Sequence, residues 1–317
     1  MRPGSRSPPA ATLHNANMRC QVPRTFSGAI RASLPAFLAM CALSHTAHGD
    51  WTLATSTVLS HDNNVGNARD YASVVEDSNA AATLSLLHLT QLGESYSFAA
   101  GGILSGQVYD HLSGLNNASL EGALSLKRKW GLGAFAPWAR ASLSVGRADY
   151  ADGYRSATIY RASLEVGKRF DERISLWANY GYERRRAAPA EAEYYWISGD
   201  AFSQNGRTLK AGMQYSLSAR LSVSLGSLWR HGDVISTTAA YSYAYVNSKA
   251  VAADPTFGEG AYAYRLNGTT YGARLGVEYS LSAHSLIGCG FQRLETHADG
   301  ANNYGDSMPQ LTWNYRF

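Results

Sequence analysis

The chain has 317 residues, 45% hydrophobic and only 16% charged, with a formal net charge of +4. Soluble proteins carry nearer a quarter charged residues, and no run of about eighteen apolar residues offers a helix that could cross a membrane. No compact basic cluster stands out beyond Arg184-Arg185-Arg186, so nucleic acid is not an expected partner. The missing charge is made up by Ser, Ala, 30 Gly and 20 Tyr, a composition that suits strands with close backbone approaches and interfacial aromatics.

The N-terminus reads as a secretory leader. Arg19, Arg24 and Arg31 precede the apolar SLPAFLAMCALS (33–44), and Ala47-His48-Gly49 supplies small residues at a cleavage site. Residues 1–49 are therefore expected to be a signal peptide, with Met18 a candidate start, and residues 50–317 the mature domain. Cleavage would remove Cys20 and Cys41 and leave Cys289 alone, so no internal disulfide can form.

From there the chain alternates at period two. GMQYSLS (212–218) sets Met213, Tyr215 and Leu217 against Gln214 and Ser216, and ARLGVEYSL (273–281) sets Leu275, Val277 and Tyr279 against Arg274, Gly276 and Glu278. No segment holds a period of 3.6 over ten residues, which makes the chain all-β. Strands are expected at 51–60, 81–91, 96–109, 119–130, 138–148, 157–170, 174–183, 209–217, 221–230, 267–281, 286–295 and 308–317. That is twelve, or fourteen if YSYAYV (241–246) belongs to a further hairpin. In LSLLHLT (84–90) the parity breaks at Leu86-Leu87, as a bulge would break it. Short turns (91–95, 170–173, 217–220, 281–285) alternate with longer polar stretches (61–79, 111–117, 185–206, 233–264). Strands of about ten residues with this alternation describe an up-and-down antiparallel β-barrel in an outer membrane, both termini in the periplasm. Aromatics near strand ends (Trp130, Tyr150, Tyr160, Phe170, Trp229) fit interfacial girdles.

The last residues, PQLTWNYRF (309–317), put Leu311, Trp313, Tyr315 and Phe317 on one face and Thr312, Asn314 and Arg316 on the other. This stretch resembles the C-terminal strand of Gram-negative outer-membrane barrels, porin-like proteins among them. The resemblance implies that these four residues form the signal read by the barrel assembly machinery, and that lipid and lipopolysaccharide surround the wall. HDNNV (61–65) is similar to the ending of the first strand in several such barrels.

With the apolar parity outward, the lumen receives Lys127, Arg140, Arg161, Glu165, Lys210, Arg230, Arg274 and Glu278, together with Glu121, Lys129, Arg169, Glu183 and Arg316. Basic residues outnumber acidic ones, and such a lining favours anions. The expected function is a small passive channel for neutral or anionic solutes. The alternatives are a non-conducting barrel acting through its loops, with 233–264 foremost, or a lipid hydrolase. The hydrolase reading rests on His111 and Ser113, a His-x-Ser pair similar to that of outer-membrane phospholipases. Within a channel, Arg161 with Glu165 and Arg274 with Glu278 could instead brace a plugged lumen. The other histidines show no metal-ligand spacing, Asp149 and Asp152-Gly153 read as a turn or a weak calcium site, and no cofactor is expected.

Overall fold

The computed structural model describes residues 51–192, 197–240 and 242–317; the leader expected over 1–49 and Tyr241 of the candidate strand 241–246 lie outside them. Thirteen strands form one sheet: β1 (Trp51–Asp62), β2 (Asp77–Leu92), β3 (Tyr96–Tyr109), β4 (Asn117–Lys129), β5 (Trp138–Tyr150), β6 (Ala157–Arg169), β7 (Ile174–Ala187), β8 (Gln204–Ser216), β9 (Leu221–Ala239), β10 (Ala250–Ala253), β11 (Ala261–Ser280), β12 (Ser285–Ala298) and β13 (Tyr304–Arg316). Each wall strand pairs antiparallel with its chain neighbours, β9 pairs with β11, and β13 pairs with β1. Twelve strands thus close a barrel, and β10 lies outside the ring on one end of β11.

Closure runs through the aromatic tail. Ser60 faces Gln310 and Ala54 faces Arg316 across the β1–β13 seam, and the Phe317 N–H donates to the Leu53 carbonyl at 3.1 Å. Leu311 is exposed on the outer face, while Trp313, Tyr315 and Phe317 follow on the same parity with adjoining rings. An open seam would leave rows of unpaired backbone groups in hydrocarbon, which no water could satisfy.

The register sorts the side chains. Along β4, Leu120, Leu124 and Leu126 are exposed, whereas Ser119, Glu121, Ser125 and Lys127 are half-buried on the other face. Leu143 and Val145 of β5 and Leu164 and Val166 of β6 continue the exposed apolar belt. A continuous outer surface of this kind requires an apolar solvent.

The β1–β2 and β2–β3 registers are unbroken through Leu86 and Leu87, so the expected bulge is absent. Leu87 turns inward opposite Gly101, where a Cβ would run into the Leu86 carbonyl oxygen, so the glycine permits a close backbone approach at this point. Residues 242–247 form a short helix, α1 (Ser242–Asn247), not a strand. The loops also begin later than their polarity suggests. β9 runs to Ala239 and β11 starts at Ala261, so 233–239 and 261–264 are a paired hairpin and the connection itself shrinks to 240–260.

The deepest burial lies neither in the wall nor inside it. Phe202, Leu266, Val251, Asn302, Asp254 and Ser236 are the largest fully buried side chains, and all sit at the long-loop end. An Arg in place of Leu124, near the middle of the outer face of β4, should cost about 2–4 kcal/mol. The same change at inward Ser125 should cost far less. Urea unfolding from lipid vesicles measures both.

A charged lumen beneath a loop cap

The long connections are L1 (63–76), L2 (110–116), L3 (151–156), L4 (188–203), L5 (240–260) and L6 (299–303). The other five connections, four of them of four residues or fewer and one (130–137) of eight, occupy the opposite end. L5 does not stand free. The Val251 N–H donates to Ser198 of L4 at 2.9 Å, and Thr256 Oγ1 donates to Asp152 of L3 at 3.1 Å. L1 reaches the upper part of β9: Thr237 N–H donates to the Gly66 carbonyl at 2.7 Å, and Asn67 Nδ2 to that of Ile235 at 3.0 Å. Around these contacts two apolar clusters form, one with Val234, Val251, Tyr264 and Leu266, the other with Ala201, Phe202, Ala250 and Ala263. Loops from both sides of the ring therefore meet over its mouth in a packed cap.

An ion pair sits in this cap. Arg155 of L3 donates to the fully buried Asp254 of L5, its guanidinium 4.7 Å from the Phe202 ring and 5.7 Å from that of Phe257. Thr237 Oγ1 donates to the same carboxylate at 2.7 Å, and Arg185 donates to the Arg155 carbonyl. Burial raises the pKa of Asp254, against the Arg155 charge and the Thr237 hydroxyl, which pull it down. Next to the pair lie two small cavities of about 190 and 160 Å³ that share Asn67, Tyr150, Arg155 and Ile235 in their walls.

Below the cap, the inward face of the wall is lopsided. Ala54, Ser56 and Val58 of β1, Ala81, Thr83 and Ser85 of β2, and Ala99, Ile103 and Ser105 of β3 carry no charge. Charge gathers on β4 to β9 and β11. Arg161 pairs with Glu121 two strands away and with Glu183 at 2.7 Å, reaching past Ser144 and Gly146 of β5. Arg140 lies 3.6 Å from Glu165. These pairings replace the same-strand brace of Arg161 with Glu165, because alternate residues of one strand stand side by side while opposite residues of neighbouring strands face each other. Arg161 and Arg140 keep 42% and 40% of their side-chain surface accessible, which a lumen filled with side chains would not allow.

The remaining charges fall on the same inner face. Lys127 stands 4.5 Å from the Trp138 ring, and Lys210 is exposed to the lumen between Asn179 and Leu228. Arg274 lies between Gly226 and Gln292, and Glu278 accepts from Gln214 at 3.3 Å rather than bracing Arg274. Arg230 is taken up at the mouth, where it donates to the Asp233 carbonyl at 2.8 Å.

Several inward residues escaped the sequence reading, Tyr150 among them: expected in the girdle, it lines the cap cavities with the Arg185 guanidinium 4.9 Å from its ring. Trp138 and Trp177 look like girdle aromatics, yet their register turns them inward. A Cβ on Gly167 would stand 2.5 Å from the Trp138 ring, and one on Gly212 would stand 2.7 Å from that of Trp177. Each ring therefore lies against the wall in a slot left by a glycine. Trp138 could have been found from Arg140, whose parity it shares.

The His-x-Ser pair is not assembled as a nucleophile and base. His111 Nδ1 contacts Asp77 at 3.1 Å and Asp110 at 3.6 Å, and the hydrogen bond with Asp77 raises the ring's pKa. Among the described residues no hydrogen bond joins Ser113 Oγ to the ring; Ser113 instead begins a 3-10 turn (Ser113–Leu115). Asp149 pairs with Arg147, and Asp152 accepts from Tyr154 and Thr256, so this turn spends its carboxylates internally.

A closed ring of tilted strands, an apolar exterior, a solvated charged interior and loops gathered at one end define an outer-membrane β-barrel of porin-like fold. An outer-membrane channel from Pseudomonas putida F1 shares that fold, with 12% identity over 86% of this chain and 98% of the other and a TM-score of 0.53. The NanC porin superposes at 0.44 with 9% identity over 82% of this chain and all of its own, and the KdgM porin with bound oligogalacturonate at 0.42 with 9% identity over 83% and 99%. No family model and no curated protein matches the sequence.

The cap makes two predictions. Arg155→Ala leaves Asp254 buried without its cation and should weaken L5 docking by about 3–5 kcal/mol; Asp254→Asn leaves Arg155 with only Asp152, 3.6 Å away, as its anion and should weaken docking by less. Susceptibility of L5 to limited proteolysis reports both. A carboxyl with a raised pKa holds its proton more tightly in the docked cap than in a detached loop. Docking should therefore strengthen as pH falls from the raised value toward the ordinary one near 4, and weaken as pH rises again. In Asp254→Asn this pH dependence of proteolytic protection should vanish.

Proposed function

We propose that this barrel is a passive outer-membrane channel for small neutral or anionic solutes, narrowed at its outer mouth by the L5 cap. The observation that carries the reading is a solvated lining with a basic excess: among the described residues Lys127 and Lys210 form no ion pair, while Arg140 and Arg161 stay accessible beside Glu165 and beside Glu121 and Glu183. Cations fixed on a low-dielectric wall attract anions and repel cations, and the effect is largest where the passage is narrowest. Arg185 beside one of the cap cavities extends the basic track toward the mouth. The fold shared with the Pseudomonas putida channel supports the architecture. The leader, removed on export, and the outward face of Leu311, Trp313, Tyr315 and Phe317 fit delivery to the barrel assembly machinery.

A non-conducting barrel acting through its loops is favoured by one observation, the packed cap. Single-channel recording of refolded protein separates the two. The channel reading expects openings with an anion-selective reversal potential, and a Lys127→Glu, Lys210→Glu double variant should shift it toward cations. Silence both in the intact protein and in a variant lacking residues 240–260 would select the loop-binding reading.

A further inference from the structure

The outer wall carries a second basic feature that conduction does not use. On β7, Leu176, Tyr180 and Tyr182 face outward, and the next two outward positions toward the loops are Arg184 and Arg186. On β8, Met213 and Leu209 are followed by Arg207, and on β9, Leu225 and Trp229 are followed by His231. Tyr160, Tyr182, Trp229 and Tyr271 form an aromatic band across β6, β7, β9 and β11, and the basic residues interleave with it: Tyr160 faces Arg184, Tyr182 faces Arg207, and Arg186 and His231 follow at the next outward positions of their strands. Such a band marks the boundary between hydrocarbon and headgroups, so the arginines stand at headgroup level.

These cations lie close together. Arg184 is paired with Asn205, which places it diagonally from Arg207, and Arg207 faces His231 directly. Diagonal neighbours are about 7–8 Å apart and facing ones about 5 Å, within reach of one multiply charged anion. Arg186 stacks over the Tyr160 ring at 5.9 Å. Among the described residues, Arg184, Arg186 and Arg207 form no ion pair; Asp149 on β5 is engaged by Arg147, and Glu183 points inward to Arg161. Three uncompensated guanidiniums at a lipid boundary repel one another and call for an anion on the lipid side, and planar guanidinium forks suit phosphate.

We propose that Arg184, Arg186 and Arg207, with His231 at the flank, form a binding site for the phosphorylated headgroup of an outer-leaflet glycolipid. The acyl chains would lie along Leu209, Tyr182 and Leu225 below. The site is on the outer wall, so it stands or falls independently of the channel.

The test is native mass spectrometry and titration of the detergent-solubilised barrel with bis-phosphorylated lipid A, its dephosphorylated form and inorganic pyrophosphate. Preference for phosphorylated lipid A over the dephosphorylated form is expected, with pyrophosphate binding far more weakly because it lacks the chains. An Arg184→Gln, Arg186→Gln, Arg207→Gln variant should lose affinity on the order of a hundredfold. Arg293→Gln, on the outward face of β12, should change nothing. Equal binding of both lipids by the parent protein would overturn the proposal whether or not the triple variant folds. So would full affinity in a folded triple variant, pyrophosphate binding as tight as that of the lipid, or an equal loss in Arg293→Gln.

Discussion

Everything in this molecule depends on the seam between β1 and β13. Hydrocarbon offers no partner to a backbone N–H or carbonyl, so a sheet immersed in it must leave no free edge. Seven facing residue pairs from Ala54–Arg316 to Ser60–Gln310 join the first wall strand to the last and satisfy that demand. With the ring closed, the pleat assigns each side chain to lipid or to lumen. Leu120, Leu124 and Leu126 and, one residue out of phase, Glu121, Ser125 and Lys127 follow from one geometric fact.

The wall needs no apolar core of its own, since lipid covers the outside and water the inside. The one place that resembles a soluble protein's interior is the cap, where water meets both surfaces of L5 and only mutual burial holds it. That is why Leu266, Phe202 and Val251 are more buried than any leucine of the membrane belt. Asp254 shares this burial and is tolerated there because Arg155 and Thr237 reach it. The cap thus couples L1, L3, L4 and L5 through a few contacts, while the strands beneath are held by a continuous ladder. Unequal stability of this kind suits a rigid wall with a separately adjustable mouth.

Within the lumen, glycines set the shape. Gly167 and Gly212 let Trp138 and Trp177 lie along the wall, and Gly146, where a Cβ would stand 2.7 Å from the Leu120 carbonyl oxygen, lets β5 approach β4 closely beside Glu121. The neutral inner faces of β1 to β3 and the charged ones of β4 to β9 give the interior two unlike flanks. On the proposed channel reading, a solute passing between them meets cations and aromatic rings on one side and small, weakly polar side chains on the other.

Period two in the sequence was enough to mark the twelve wall strands and the end that bears the long loops, because alternation is a local property that the pleat copies directly. Strand ends were less legible: β9 and β11 continue as a hairpin above the membrane, where lipid no longer imposes an apolar parity. Partners were not legible at all. Arg161 is 40 residues from Glu121 and Arg155 is 99 from Asp254, and only strand order and loop packing bring them together. The same holds for the outer arginines. Arg184-Arg185-Arg186 read as a simple charge run, and nothing in the sequence joined Arg207 to it until the β7–β8 register set Arg207 diagonal to Arg184.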